Sequence, residues 1–169
     1  MAAQTAPPTP PSGGGQRFRM IDVGGKQPTA RRAVAAGRIQ MSEAAFDALQ
    51  RGTNPKGDVL AQAEVAGMMA AKRTADLLPL CHPLPLDQVG VRFELVPASR
   101  EVVARCEAAA TARTGVEMEV LAGVCGALLA VYDLCKAVDP VLTITDVHLE
   151  VKEGGKSGRW VHPAHRTGG

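Results

Sequence analysis

Asp133 and Lys136 lie three residues apart in a long apolar segment, so a helix would place both side chains on one face. At 100° per residue, Glu119, Ala122 and Gly126 fall near the same face. A carboxylate beside a lysine can move protons on a substrate if a crowded site lowers the lysine pKa. The plainer interpretation is a solvated salt bridge. The small residues between the charges favour a partner surface or a ligand over open water.

A second candidate group is Cys81 followed by His82, within the proline-rich residues 78–87 (LPLCHPLPLD). The side chains of adjacent residues usually point apart, so Cys81 and His82 are not predicted to act as a nucleophile and its base. Zinc needs four ligands at about 2.0–2.3 Å, whereas Cys125 and Cys135 would lie about 15 Å apart along one helix. No metal site is therefore predicted. His82 is either a structural residue or a group that binds phosphate or donates a proton.

The glycine-rich residues 154–158 (GGKSG) resemble the end of a nucleotide-binding P-loop. Glu150 stands where that motif requires a glycine, and no helix is expected to follow, so a P-loop is not predicted. Glycine-rich backbone can still cradle an anion, with the alternative being a flexible basic tail. Taken singly, the basic residues are surface charges, but they would form an anion pocket if the fold brings them together: Arg31, Arg32, Lys56, Lys72, Arg73, Lys152 and Lys156.

Composition limits the class of protein. The 169 residues are 46% hydrophobic and 21% charged, which is typical of a soluble globular domain. A net charge of +2, from 19 basic and 17 acidic residues, with 3% aromatics, does not favour nucleic-acid binding. No run approaches the roughly 18 apolar residues of a membrane span. The four cysteines form no CxxC pair and no signal peptide is apparent, so we expect reduced thiols in the cytoplasm.

The elements that must position these groups follow from turn residues and hydrophobic periodicity. Residues 1–16 are uncharged and rich in proline and glycine, which predicts a disordered tail. Residues 154–169 form a glycine-rich C-terminal strip, which Trp160 and Val161 would anchor. Residues 17–153 make up a single folded domain between them.

Within this domain the patterns predict strands at 17–23, 29–41, 89–96, 102–111 and 141–151, and helices at 43–50, 58–77 and 116–138. Ser42 and Asp58 are the expected N-caps. The order corresponds to an α+β, ferredoxin-like split β-α-β fold, a mostly antiparallel sheet with two long helices on one face. An extra helix and an extra strand would lie near the N-terminus. In the last helix, a bulky stripe should face the sheet: Val120, Val124, Leu128, Val131 and Cys135.

Four segments, in this order and spacing, resemble the MoaC family of cyclic pyranopterin monophosphate synthases. They are KGDVLAQAEVAGMMAAKRTADLLPLCHPLPL (56–86), TGVEMEVL (114–121), YDLCKAV (132–138) and GGKSG (154–158). The resemblance covers residues 18–159. It implies a lyase of molybdenum cofactor biosynthesis that acts after a radical S-adenosylmethionine GTP cyclase. The lyase would convert (8S)-3′,8-cyclo-7,8-dihydroguanosine 5′-triphosphate to cyclic pyranopterin monophosphate and diphosphate. It further implies a homohexamer, a trimer of dimers with sites at the dimer interface, and no metal or organic cofactor.

The resemblance also implies a role for individual positions. Asp133 and Lys136 match the catalytic helix pair, and Lys56 matches the other catalytic lysine. Because the substrate carries a triphosphate, several cations should line its site. Arg32 adjoins Arg31, so the choice between them is open at this stage. The implied substrate-binding residues are Leu80, Cys81, His82, Met118, Glu119, Glu117, Lys72, Arg31, Lys152 and Lys156.

Two other classes of function compete with this interpretation. One is a paralogue with altered specificity, and the other is an inactive binding or assembly module. Loss of Lys56, Asp133 or Lys136 would favour the second, and all three residues are present.

Overall fold

Residues 18–165 are described in the computed structural model. The predicted tail at residues 1–16 lies outside this range. The elements in chain order are β1 (Thr29–Gln40), α1 (Glu43–Gln50), α2 (Val59–Lys72), α3 (Thr74–Leu77), β2 (Gln88–Val96), β3 (Glu101–Ala112), α4 (Glu117–Cys135), β4 (Thr143–Glu153) and β5 (Trp160–Val161), followed by a 3-10 turn at Pro163–His165.

The five strands form one sheet in the order β2-β3-β1-β4-β5, and every neighbouring pair is antiparallel. With α2 and α4 as the connecting helices, the first four strands make the predicted ferredoxin-like fold. The two helices pack on one face of the sheet over the hydrophobic core. Arg105 and Glu107 alternate with the buried Cys106 on β3, so they lie on the opposite face, where charged side chains form ion pairs.

The helices begin where the sequence predicts. The Ser42 side chain accepts a hydrogen bond from the backbone of Ala45, and Asp58 does the same for Ala61. The long helix predicted to reach Leu77 is interrupted after Lys72, and α3 continues it as a separate turn.

The prediction of a strand at residues 17–23 is wrong for residues 18–23, which form no strand. Both edges of β1 are already occupied by β3 and β4, so this segment has no free edge of the central strand to pair with. Phe18 and Ile21 are 71% and 73% exposed. The additional strand lies at the other end of the chain, where Trp160 and Val161 pair with β4.

α4 is the core helix of the domain. Its predicted stripe is fully buried against the sheet: Val120, Val124, Leu128, Val131 and Cys135. By length and apolar composition alone, α4 also qualifies as a helix able to cross a membrane, which a search for an unbroken apolar run does not detect. Because one side of α4 packs on the sheet and another on α2, its apolar character is explained by the core.

α2 and α4 approach each other closely through small residues. A Cβ on Gly67 would lie 2.8 Å from the Gly123 carbonyl oxygen, and one on Gly126 would overlap the Ala70 methyl group. The expectation that Gly126 faces a partner or a ligand is therefore wrong, because α2 of the same chain covers it. Small side chains occur on this face because two helix backbones meet there.

Gly37, on β1 beneath α4, allows a test of this packing. A Cβ there would lie 2.7 Å from Val124 Cγ1 and 2.9 Å from Leu128 Cδ1. We predict that Gly37→Ala lowers the free energy of unfolding by about 1–3 kcal/mol, because the dense core must shift to admit a methyl group. Gly90→Ala, on β2, is the matched control, since a Cβ there meets nothing within 4 Å. Equal urea midpoints for the two variants would contradict the packing described.

Candidate active site

Asp133 joins two lysines near the end of α4. Its carboxylate lies 2.6 Å from Lys136 Nζ and 3.0 Å from Lys56 Nζ. Lys56 Nζ also donates to the Asp133 carbonyl oxygen at 2.9 Å. The structure therefore brings together the three residues that the resemblance implies are catalytic, although one of them comes from a different part of the chain. We call this group the Lys–Asp–Lys cluster.

The loop that presents Lys56 is held in place by its own neighbours. The buried Asn54 accepts a hydrogen bond from the Lys56 backbone N–H at 2.9 Å and donates to Cys135 Sγ at 3.6 Å. The Gln62 side chain donates to the Lys56 carbonyl oxygen at 2.9 Å. These bonds fix the backbone of Lys56 beside the end of α4. The contact with Asp133 therefore has to immobilise only the Lys56 side chain.

The charges within the cluster determine its protonation. Hydrogen bonds from Lys136 and Lys56 lower the pKa of Asp133, and the bond from Lys136 to Asp133 raises the pKa of Lys136. The expectation of a lowered Lys136 pKa is wrong. The Lys136 and Asp133 side chains are 55% and 54% exposed, so desolvation is too weak to offset the carboxylate. Asp133 is ionised and Lys136 protonated, which leaves the cluster with a net positive charge.

A cleft of about 940 Å³ opens beside the start of α4. We call it the apolar cleft, because leucine, methionine and proline side chains make up much of its wall. Phe18, Ile21 and Val23 also line it and were not predicted as site residues, because their spacing suggested a strand. Among its walls are five of the implied substrate-binding residues: Leu80, Cys81, His82, Glu117 and Met118.

A second cleft, of about 670 Å³, adjoins the first, and the two share Lys26, Thr114 and Gly115. Arg31 and Lys156 line it, as do Lys26 and Arg113, so we call it the cationic cleft. Lys26 and Arg113 were not among the predicted site residues. Arg113 directly precedes the segment TGVEMEVL, and this position next to a motif was the signal available in the sequence.

Arg31, and not Arg32, lines the cationic cleft. Arg32 is held by two glutamates in ion pairs of 2.6 and 3.2 Å. The Arg31 guanidinium lies against Gly155, where a Cβ would overlap it, and Gly154 and Gly155 have φ angles of 98° and 69°. Within residues 18–165, the buried Arg31 Nε has no hydrogen-bond partner. The glycine-rich turn therefore makes room for an arginine, and β5 follows it where a P-loop would have a helix.

Lys152 reaches the site through an irregularity in β4. The register with β1 shifts at Glu150, which bulges out of the strand. Without the bulge, alternation from the inward-facing Leu149 would turn Lys152 to the face away from the helices. With it, Lys152 Nζ lies 3.1 Å from Glu117 Oε1 at the start of α4.

Glu119 is the buried carboxyl group of this region. It is 3% exposed, its Oε1 lies 3.9 Å from Cys81 Sγ, and its Oε2 has no hydrogen-bond partner in the described part of the chain. Burial raises the pKa of Glu119, and burial together with Glu119 raises the pKa of Cys81. Cys81 is therefore not an activated nucleophile. A smaller cleft of about 350 Å³, which Lys72 also lines, reaches Glu119.

The implied site residues fall into two groups at opposite ends of α4. From Glu119 to Asp133 the helix rises by about 21 Å. The Lys–Asp–Lys cluster lies outside the walls of both larger clefts. Within one chain, the implied catalytic and substrate-binding residues do not form a single site.

A ferredoxin-like domain with an apolar cleft opening into a cationic one is suited to an enzyme that handles an anionic small molecule with an apolar body. Residues 20–155 match the family model described as the MoaC family, so the chain belongs to that family.

Three similar curated proteins each carry the name cyclic pyranopterin monophosphate synthase. The one from Novosphingobium aromaticivorans is 52% identical over 146 residues, which cover 86% of this chain and 92% of its own. The one from Clostridium botulinum is 48% identical over 143 residues, with 85% and 90% covered. The one from Chloroflexus aggregans is 50% identical over 144 residues, with 85% and 87% covered.

The Lys–Asp–Lys cluster predicts how Asp133 titrates. Its carboxyl group should ionise at a lower pH than a free aspartate, because two ammonium groups favour the charged form. We predict that Lys136→Met raises the Asp133 pKa towards its ordinary value, and that Lys56→Met raises it by less. Carboxyl-carbon NMR over a pH series measures both shifts. An unchanged midpoint in Lys136→Met would show that the ion pair is not formed in solution.

Proposed function

We propose that this chain is a cyclic pyranopterin monophosphate synthase. It converts (8S)-3′,8-cyclo-7,8-dihydroguanosine 5′-triphosphate to cyclic pyranopterin monophosphate and releases diphosphate. Membership of the MoaC family and the shared name of its relatives support this activity. The structural observation that carries the proposal is the junction of the two clefts at Lys26, Thr114 and Gly115. The junction suits a substrate with a ring system at one end and phosphates at the other.

The triphosphate would bind in the cationic cleft. It carries about four negative charges, which call for several charge-assisted hydrogen bonds. The Arg31 guanidinium, whose buried Nε has no partner among residues 18–165, would provide a planar donor, and Lys156 would add a second cation. The other binding residues proposed here would hold the ring system and its polar edge: Leu80, Cys81, His82, Met118, Glu117, Glu119, Lys72 and Lys152.

The Lys–Asp–Lys cluster would carry the proton transfers. Lys136 and Lys56 are the acids, and Asp133 keeps Lys136 protonated and both ammonium groups in position. When the cyclic phosphate closes, a substrate hydroxyl attacks the α-phosphorus, its proton passes to solvent water, and the bond from the α-phosphorus to the departing diphosphate breaks. The net positive charge of the cluster would stabilise the departing diphosphate. Glu119, whose buried carboxyl group lines the smaller cleft, would hydrogen-bond to the substrate.

We also propose that a second copy of the chain completes each site, in a dimer that further assembles into a trimer of dimers. The separation of about 21 Å along α4 means that the cluster of one chain cannot act in its own clefts. The solvent side of the helix layer also exposes Val65 and Met69 on α2 and Leu129 on α4. Exposed apolar side chains on neighbouring helices favour an interface with another copy.

In the cell, we propose a cytoplasmic enzyme that takes its substrate from a radical S-adenosylmethionine GTP cyclase. The four cysteines are free thiols, which fits a reducing compartment.

A turnover assay tests the activity. We predict that the protein forms both pyranopterin product and diphosphate from the cyclic dihydro-GTP substrate without added metal. Lys56→Ala, Asp133→Ala and Lys136→Ala should each lose about 10²–10⁴-fold in rate, because each removes a proton-transfer group or its support. Their oligomeric state should not change.

Arg51→Ala is the control for this assay, since it removes an exposed ion pair to Asp47 on α1. It should turn over substrate like the unchanged protein. Substrate binding without turnover by the unchanged protein would indicate a binding module. Full activity in the three cluster variants would show that the catalytic assignment is wrong.

Mixed oligomers test the sharing of sites. We predict that Lys136→Ala and Arg31→Ala are each inactive alone and that their coexpression restores about a quarter of the activity. Random pairing makes half of the dimers mixed, and a two-fold interface gives each mixed dimer one intact site. If mixed oligomers form and activity stays at background, each site belongs to one chain, whatever the turnover assay shows.

A further inference from the structure

We propose that His148, His162 and His165 form a binding site for a divalent metal ion, with zinc as the best fit. Their ligand nitrogens all lie within 4.8 Å of one another. The three residues do not line the apolar or the cationic cleft, so this site is separate from the proposed catalytic one. It departs from the prediction of no metal site, which rested on cysteines and on His82.

The fold brings the three histidines to the sheet face opposite the helices. Val147 and Leu149 pack against the core, so His148 between them points the other way. The chain then returns alongside β4 as β5, where the His162 backbone N–H donates to the Glu150 carbonyl oxygen at 2.8 Å. The 3-10 turn that follows places His165 beside His148.

His148 is oriented as a metal ligand. Its Nδ1 lies 2.6 Å from the Asp146 carbonyl oxygen. Because a carbonyl only accepts, Nδ1 carries the proton and Nε2 keeps a free electron pair. A ligating histidine usually donates its other ring N–H to a carbonyl or carboxylate in this way. Asp146 has a φ of 53°, and this backbone conformation next to the β4 irregularity presents its carbonyl to the ring.

The nitrogen spacing fits a tetrahedral ion. His148 Nε2 and His165 Nε2 are 3.2 Å apart. Two nitrogens each about 2.05 Å from a tetrahedral zinc would be about 3.3 Å apart. Because the three ligand nitrogens lie within 4.8 Å of one another, His162 needs to move inward by at most about 1.5 Å to reach the same spacing. Among the described residues the His162 ring accepts one long hydrogen bond, of 3.3 Å from Ala164 N to its Nδ1, and an ion can replace it.

The surroundings also suit a cation. Glu150 Oε1 lies 3.8 Å from His165 Nε2, close enough to accept a hydrogen bond from a water in the fourth position. Asp146 adds a second carboxylate nearby, while Arg105, paired with Glu150 at 3.2 Å, and Arg38, 3.6 Å from Asp146, are the cations beside them. Three neutral histidines and one water are a ligand set that zinc adopts.

A bound ion would link β4 to the segment that follows β5, in the C-terminal part of the domain. β5 has only two residues and pairs with β4 at two positions. The ion would join His162 and His165, which follow β5, to His148 in β4. It would thereby hold the ends of the turn at 154–159, which carries Lys156 beside the cationic cleft.

The test is titration of the full, tag-free protein with Zn²⁺ by calorimetry, and with Co²⁺ by absorption spectroscopy. We expect one ion per chain and a tetrahedral cobalt spectrum without a thiolate charge-transfer band. His148→Ala and His165→Ala should each weaken binding by more than about 100-fold, the upper end of the loss for an outer-shell partner. His82→Ala removes the fourth histidine of the chain and should leave the affinity unchanged.

Hydrogen exchange gives an independent readout. Zn²⁺ should slow exchange in residues 154–165 of the unchanged protein and of His82→Ala, but not of His148→Ala. The absence of stoichiometric binding at micromolar Zn²⁺ would overturn the proposal. Binding that survives in His148→Ala, or that shows the thiolate band, would overturn it as well.

Discussion

The close approach of α2 to α4 is the constraint on which the rest of the structure depends. Gly67 and Gly126 leave no room for a side chain at the crossing, so the two helix backbones lie against each other. Because the helices run antiparallel, the loop before α2 meets the end of α4, and the loop after α2 meets its start. The first meeting places Lys56 on Asp133, and the second places Cys81 beside Glu119. One contact between helices thus positions both halves of the candidate site and also keeps them apart.

The sheet supplies the remaining groups through its irregularities. A perfectly alternating β4 would turn Lys152 away from the helices, and the bulge at Glu150 reverses this. Arg31 has to lie beside the backbone of residues 154–155, and two glycines with positive φ angles make that possible. Groups with a role in the proposed chemistry therefore stand where the regular pattern of the sheet is broken. Bulges are frequent next to active sites for this reason.

Local signals predicted most of the fold. The Ser42 and Asp58 caps, the β2–β3 hairpin and the buried stripe of α4 each depend on residues close in sequence, and all were confirmed. The segment at 17–23 alternates like a strand, but alternation cannot show whether a neighbouring edge is free. The resemblance implied the cluster of Lys56, Asp133 and Lys136, whereas spacing alone linked two of its members.

The features that the sequence could not show depend on contacts between residues far apart in the chain or on the exposure of side chains to solvent. The direction of the Lys136 pKa shift follows from exposure, which is a property of the folded chain. Lys26 and Arg113 line the cationic cleft because two distant loops meet. The three histidines at 148, 162 and 165 have no metal-binding spacing, and they meet because β5 folds back on β4.

α4 has a consequence for how the chain is made. Judged by its own residues, it is the segment that a cell could mistake for a membrane anchor. Of the elements that cover it, β1, α2, β2 and β3 precede it in the chain, and β4 follows it. When α4 leaves the ribosome most of its docking surfaces have already been synthesised, so most of its apolar surface can be buried at once, and β4 covers the rest. The order of the elements therefore limits how long this apolar helix stays exposed in the newly made protein.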